Sequence, residues 1–167
     1  DAVVLSGGEP LLQPGAVELL AAFRETGLLV KLDTNGCYPQ ALKEILDRGL
    51  VDYVAMDIKN SPARYGETCG GIDIFPQVKQ SAALLMEGQV DYEFRTTVVR
   101  ELHDREDLLA IAAWLQGAKH YYLQQYTESE NVIQPGWTAY SAAEMRELRQ
   151  AVAEILPGTE FRGLKEG

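Results

Sequence analysis

Cysteine and histidine are scarce in this chain, with two of each among 167 residues. Cys37 and Cys69 lie far apart and show neither metal-binding spacing nor a disulfide framework, so a thiol-stapled secreted scaffold is excluded and a reducing cytoplasm is expected. No apolar run is long enough to span a bilayer, and nothing has the layout of a signal peptide. Basic residues are also in short supply: 15 against 25 acidic, for a formal net charge of −10. That balance argues against a nucleic-acid partner and against an anionic membrane surface. No internal repeat, low-complexity tract or linker interrupts the sequence, and a single domain over residues 1–167 is expected. An initiating methionine is missing as well. Asp1 leads almost at once into strand-like sequence, which suggests the C-terminal part of a longer polypeptide.

What is present is a regular alternation of strand and helix signals. Val3, Val4 and Leu5 read as a buried strand, and Pro14 opens a helical stretch to about Glu25. A strand over 28–33 stops at Thr34-Asn35-Gly36, a helix follows over 39–48, and a third strand covers 51–59. After a Gly- and Pro-rich loop with a helical turn near Tyr65, a helix is expected over 75–87 and a fourth strand over 92–99. Asp104 caps a helix to Gln116, a fifth strand spans 121–125, and residues 126–140 read as irregular. Ser141, with Glu144 three residues on, forms a capping box for the last helix, and residues 160–162 add a short strand. Such alternation gives an α/β fold with a parallel sheet, open or part of a barrel.

Parallel strands are usually covered on both faces and apolar throughout. These strands depart from that in a consistent way. Side chains alternate with period two, so Lys31 and Asp33 share a face, as do Asp57 and Lys59, and Glu93, Arg95 and Thr97. Gln124 and Gln125 take opposite faces, so one of them joins the polar side. Charges of both signs near the C-terminal ends of successive strands suit a zwitterionic ligand at the mouth of a parallel barrel. Ser6-Gly7-Gly8-Glu9-Pro10 closes the first strand at the same end. Its glycines let another molecule approach the backbone, and Glu9 either receives a ligand ammonium group or caps a tight strand-to-helix turn. His103 and His120 stand outside any nucleophile motif and read as surface or loop residues.

These segments, together with Lys31-Leu32-Asp33-Thr34-Asn35-Gly36, residues 52–59, residues 92–99 and Leu123-Gln124-Gln125, resemble the radical S-adenosylmethionine enzymes that activate glycyl-radical enzymes. Within that group the chain is most similar to the anaerobic ribonucleoside-triphosphate reductase activating proteins. The resemblance implies a partial parallel (β/α) barrel lacking its first strand and cluster loop. It implies S-adenosylmethionine as cofactor, held by Gly7, Gly8 and Glu9 at the methionine amino group and lined by Asp57, Lys59, Arg95, Gln124 and Gln125. It also implies a monovalent cation at Asp33, Thr34, the Ala55 carbonyl and Asp57. The family's [4Fe–4S] cluster needs three closely spaced cysteines upstream of the glycine-rich motif, and Cys37 and Cys69 do not match them. The chain alone is therefore expected to be inactive and to self-associate along the uncovered edge of its first strand. The implied partners are the reductase and an electron donor. Other readings are an activase for a different glycyl-radical enzyme, such as the pyruvate formate-lyase type, a non-catalytic α/β binding module, and a phosphosugar barrel enzyme. The last would want a glycine-rich phosphate loop before the final helix, which the sequence does not show.

Overall fold

The computed structural model describes residues 1–127 and 136–164. The strands are β1 (Ala2–Leu5), β2 (Leu29–Thr34), β3 (Tyr53–Asp57), β4 (Asp91–Val98), β5 (Tyr121–Gln125) and β6 (Thr159–Arg162). The helices are α1 (Ala16–Glu25), α2 (Pro39–Asp47), α3 (Tyr65–Thr68), α4 (Phe75–Met86), α5 (Arg105–Trp114) and α6 (Ala142–Ala153), with a 3-10 turn at Pro10–Leu12. The strands follow chain order across a six-stranded sheet. The elements match the sequence expectations in kind and order. Of the irregular stretch expected over 126–140, residues 128–135 lie outside the described residues.

The chain divides into two compact units: Asp1–Ile58 with Ile74–Phe94, and Lys59–Asp73 with Arg95–Gly167. In the first, β1 pairs with β2 and β2 with β3, all parallel, in a register that sets Val4 beside Lys31 and Asp33 beside Ala55. That register gives the sheet two unlike faces. Val30, Leu32, Val54, Met56 and Ile58 point to one side and are buried, forming the core with Leu20, Leu42, Ile45, Val78 and Leu85. Lys31, Asp33, Tyr53, Ala55 and Asp57 point to the other. Arg24 on α1 reaches both Asp52 oxygens at 2.6 Å, and Asp52 accepts from Val30 N–H at 2.7 Å while returning its own N–H to Val30 O at 2.8 Å. These bonds, the Val30 N–H first and Arg24 second, hold the Asp52 carboxyl below the usual range and fix the entry to β3.

One expectation needs correcting here. Val3, Val4 and Leu5 read as a buried strand, yet β1 is only partly covered and Val4 is 51% exposed. β1 ends the strand order and, among the described residues, pairs only with β2, so hydrophobic sequence does not bring burial at this position. Leu29, beside Ala2 in the register, is 59% exposed on the same face. Beside β1 lies an open groove of about 180 Å³ lined by Leu5, Ser6, Gly7, Pro10, Gln13 and Leu19, among others.

In the second unit β5 pairs in parallel with β6, and α5 and α6 pack together. Its core contains Leu108, Ile111, Tyr121, Leu123, Met145 and Val152. Both long helices begin with reciprocal caps. Asp104 accepts from Asp107 N–H at 2.8 Å while Asp107 accepts from Asp104 N–H at 3.2 Å, and Ser141 and Glu144 repeat the pattern.

Candidate functional site

At the end of β1 the chain must turn sharply, and two glycines allow it: Gly7 has φ 96° and Gly8 φ 47°. A Cβ at either position would meet nothing within 4 Å, so the left-handed backbone, not crowding, demands glycine, and the turn lies open to an approaching molecule. Glu9 follows, and its carboxylate is engaged within the protein. One oxygen accepts Leu11 N–H at 3.0 Å and the Thr34 hydroxyl at 2.9 Å, and the other accepts Asn35 N–H at 2.6 Å. Of the two roles weighed for Glu9, the capping role is what these contacts display. The residue also joins the turn after β1 to the turn after β2.

The turn after β2 is built with equal economy. Thr34 Oγ1 donates to Glu9 and accepts Gly36 N–H at 3.1 Å, Asn35 Oδ1 accepts Cys37 N–H at 2.9 Å, and Ser81 on α4 donates to Gly36 O at 2.7 Å. A Cβ on Gly36 would overlap the buried Met56 side chain. By strand alternation Thr34 faces away from Asp33, so its hydroxyl belongs to the turn rather than to a site on Asp33's side.

The opposite face carries the charge. Ser6 donates to Asp33 Oδ2 at 3.2 Å. Lys31 Nζ lies 3.4 Å from Asp33 Oδ1 and 3.8 Å from Glu93 Oε1, and sits 5.7 Å from the centre of the Tyr53 ring. Tyr53 donates to Glu93 Oε2 at 3.0 Å. Glu93 is only 2% exposed, and this amine and phenol are polar partners for its buried carboxyl group. Of the row inferred from period two, Lys31, Asp33 and Glu93 thus form a connected cluster with Tyr53 across β2, β3 and the first half of β4. Tyr53 is its unforeseen member. Asp57 closes β3 on this face, half-buried, with buried Ala55 two residues before it.

In the second unit, Lys59 presents an exposed side chain from a fastened main chain. Its N–H donates to Tyr65 Oη at 3.2 Å, and its carbonyl accepts from His103 Nε2 at 2.9 Å. Arg95 is half-buried on β4, and the next residue, Thr96, is buried and accepts the Tyr121 hydroxyl at 2.8 Å. Burial pushes the Tyr121 phenol well above its ordinary range. Gln124 stands beside Arg162 in the register, on the side where Arg162 stacks on Tyr122 at 4.4 Å. Gln125 takes the other side and donates to Tyr140 O at 2.8 Å, so Gln124 is the glutamine that shares the face opposite Tyr121.

His103 requires a correction. The sequence reading placed it on a surface or loop. It is on a loop, but only 2% exposed, and its burial lowers its pKa. Nothing in the local sequence announced this, because its partners come from residues 59 and 99. His120 is exposed, as expected. Cys37 and Cys69 are both half-buried, and burial pushes the Cys69 thiol up.

The fit to the implied cofactors divides. The open glycine turn and the two-signed face suit a zwitterionic ligand such as S-adenosylmethionine. Among the described residues no group of three or more His, Cys, Asp or Glu is arranged to hold a metal ion, so these residues do not supply the ligands of a [4Fe–4S] cluster. Among them, too, no helix is long and apolar enough to cross a membrane.

Comparison with known proteins adds an independent line. The radical SAM superfamily matches residues 1–115. A candidate glycyl-radical enzyme activating enzyme of Methanocaldococcus jannaschii is 38% identical over 131 residues, covering 75% of this chain and 55% of that protein. The PqqA peptide cyclase of Methylorubrum populi is 33% identical over 121 residues, covering 70% of this chain and 31% of the cyclase. This chain therefore spans about half, or less, of the length of these relatives. Among solved structures, a domain of pyruvate-formate lyase-activating enzyme from Bacteroides vulgatus superposes with a TM-score of 0.78 at 16% identity, covering 97% of this chain and 99% of that one. At that identity the likeness concerns the fold, the α/β partial barrel expected from the sequence.

Proposed function

The chain belongs to the radical S-adenosylmethionine superfamily, and from that premise we propose that the intact protein is a cytoplasmic glycyl-radical-enzyme activase whose partner is anaerobic ribonucleoside-triphosphate reductase. Membership implies S-adenosylmethionine and an iron–sulfur cluster as cofactors. The activase class is supported by the 38% identical relative. The reductase is supported by residues 92–99 and 123–125, the segments that narrow the resemblance to its activating proteins.

The observation that carries the cofactor reading is the cluster of Ser6, Lys31, Asp33, Tyr53 and Glu93 on one strand face, next to a glycine turn with room around it. In this proposal the Gly7–Gly8 backbone receives the ammonium end of S-adenosylmethionine. Glu9 keeps that turn and the Asp33–Gly36 turn in fixed relation. Asp33, Asp57 and the Ala55 carbonyl are the oxygen donors proposed for a monovalent cation, with Thr34 contributing through its backbone position. Lys59, Arg95 and Gln124 are assigned to the carboxylate and adenosyl ends, and Gln125 supports them through Tyr140. S-adenosylmethionine, once bound, supplies hydrogen-abstracting radical chemistry, and the protein's part is to orient it and exclude water. An electron donor completes the partner set. The chain by itself is proposed to be inactive.

The test is anaerobic electron paramagnetic resonance on purified reductase and, in parallel, on pyruvate formate-lyase, each incubated with the intact protein, S-adenosylmethionine and reductant. A glycyl-radical doublet on the reductase is expected. A doublet appearing on pyruvate formate-lyase instead would reassign the partner, and radical on neither would remove the activase reading.

A further inference from the structure

The loop that follows β3 is held by side chains to an unusual degree. Lys59 has both main-chain polar groups bound by buried side chains, N–H to Tyr65 and C=O to His103. Asn60, fully buried, donates through Nδ2 to Thr68 Oγ1 at 2.7 Å and to Leu102 O at 3.0 Å, and accepts Ser61 N–H at 2.7 Å. Ser61 donates to Asp107 at 2.6 Å, and Arg64 pairs with the other Asp107 oxygen. Three consecutive residues are thus fixed without helix or strand bonding, while the Lys59 side chain itself is exposed. A main chain so constrained beneath an exposed cation is what presentation of a charge at a set position requires.

His103 is the centre of this arrangement, and its tautomer follows from its partners. A carbonyl can only accept, so Nε2 bears the proton toward Lys59 O. With the ring neutral and its proton on Nε2, Nδ1 accepts Val99 N–H at 3.1 Å and also lies 3.3 Å from Val99 O, and the His103 carbonyl receives the Tyr140 hydroxyl at 2.7 Å. The ring therefore couples the loop after β3 to the turn after β4 through one donor and one acceptor.

We propose that His103 is a positioning residue for the cofactor site: its neutral imidazole, through the Nε2–H bond to the Lys59 carbonyl, fixes the backbone from which Lys59 reaches an anionic group of S-adenosylmethionine. This rests on the assignment of Lys59 to that cofactor. Neither the family resemblance nor the sequence reading gives His103 a role.

Two substitutions separate the two ring nitrogens. His103→Gln keeps a donor near the Nε2 position. His103→Asn keeps a group near Nδ1 and loses the reach to Lys59. Hydrogen exchange without ligand reads the clamp through the loop it holds: the amides of Lys59 and Ser61, bound by Tyr65 and Asn60, stay protected in the wild type and in His103→Gln and lose protection in His103→Asn as the loop loosens. Calorimetric titration of the intact protein with S-adenosylmethionine reads its consequence. His103→Asn binds about tenfold more weakly, the size of one lost hydrogen bond, while His103→Gln stays within about twofold of wild type. In a Lys59→Met background the His103→Asn effect on affinity disappears, because the histidine acts through the lysine. Equal protection in all three proteins overturns the clamp. Equal affinity for the two substitutions, or an undiminished His103→Asn effect without Lys59, overturns the positioning role. Failure of the wild type to bind S-adenosylmethionine overturns the cofactor reading and with it this use of the loop, while the exchange result still decides whether the clamp exists.

Discussion

Glu9 accepts three hydrogen bonds on two oxygens, and two of its partners come from the neighbouring strand's turn. Glu9→Gln keeps the shape but replaces one acceptor by a donor, which then faces N–H or O–H donors. We expect a loss of about 1–3 kcal/mol in urea denaturation, whereas a glutamate serving only a ligand would leave stability unchanged. The sequence showed that a carboxylate belongs here. It could not show that Thr34 and Asn35 satisfy it, since those contacts depend on strand register. His103 makes a similar point. Its pKa lies below the ordinary value chiefly because it is buried. The folded state therefore holds the proton less tightly than the unfolded chain does. The stability this confers is complete above the unfolded pKa of about 6.5 and is lost as pH falls through the lowered folded value. Midpoints measured between pH 7 and pH 5 should decline in the wild type, and His103→Gln should remove that part of the slope.

At the scale of elements, the helix starts were the most legible features. A cap is written in residues three apart, and Asp104 and Ser141 both perform as their spacing foretold. Ser141→Ala should cost about 1 kcal/mol in thermal or chemical denaturation; no change would mean that the cap is redundant. Its partner Glu144 is pulled down to about 2, first by Arg100 and then by Ser141. The stabilisation from Glu144 is present above its unfolded pKa and fades as pH falls from about 4.5 toward 2. Strands were legible by type but not always by environment. β1 is apolar in sequence and half-exposed in fact, because hydrophobicity does not tell an edge from a centre. The polar alternation in β2, β3 and β4 was informative for the opposite reason: charged groups within a parallel sheet need partners, and Lys31, Tyr53 and Glu93 supply them to one another.

At the scale of the whole molecule, a net charge of −10 coexists with exposed Val4, Leu29 and Leu12 around β1. Self-association along this edge, one copy against another, is expected from the sequence. Sedimentation should show concentration-dependent dimers that Val4→Lys diminishes; an unchanged distribution would remove the edge from consideration. The central claim is that strand-end charges of both signs cradle S-adenosylmethionine, and binding tests it most directly. Titration of the intact protein with S-adenosylmethionine should give saturable heat in the wild type. The affinity should fall about tenfold or more in both Asp33→Asn and Lys59→Met while their melting temperatures stay close to wild type. Absence of saturable binding, or equal affinity in all three proteins, would contradict it.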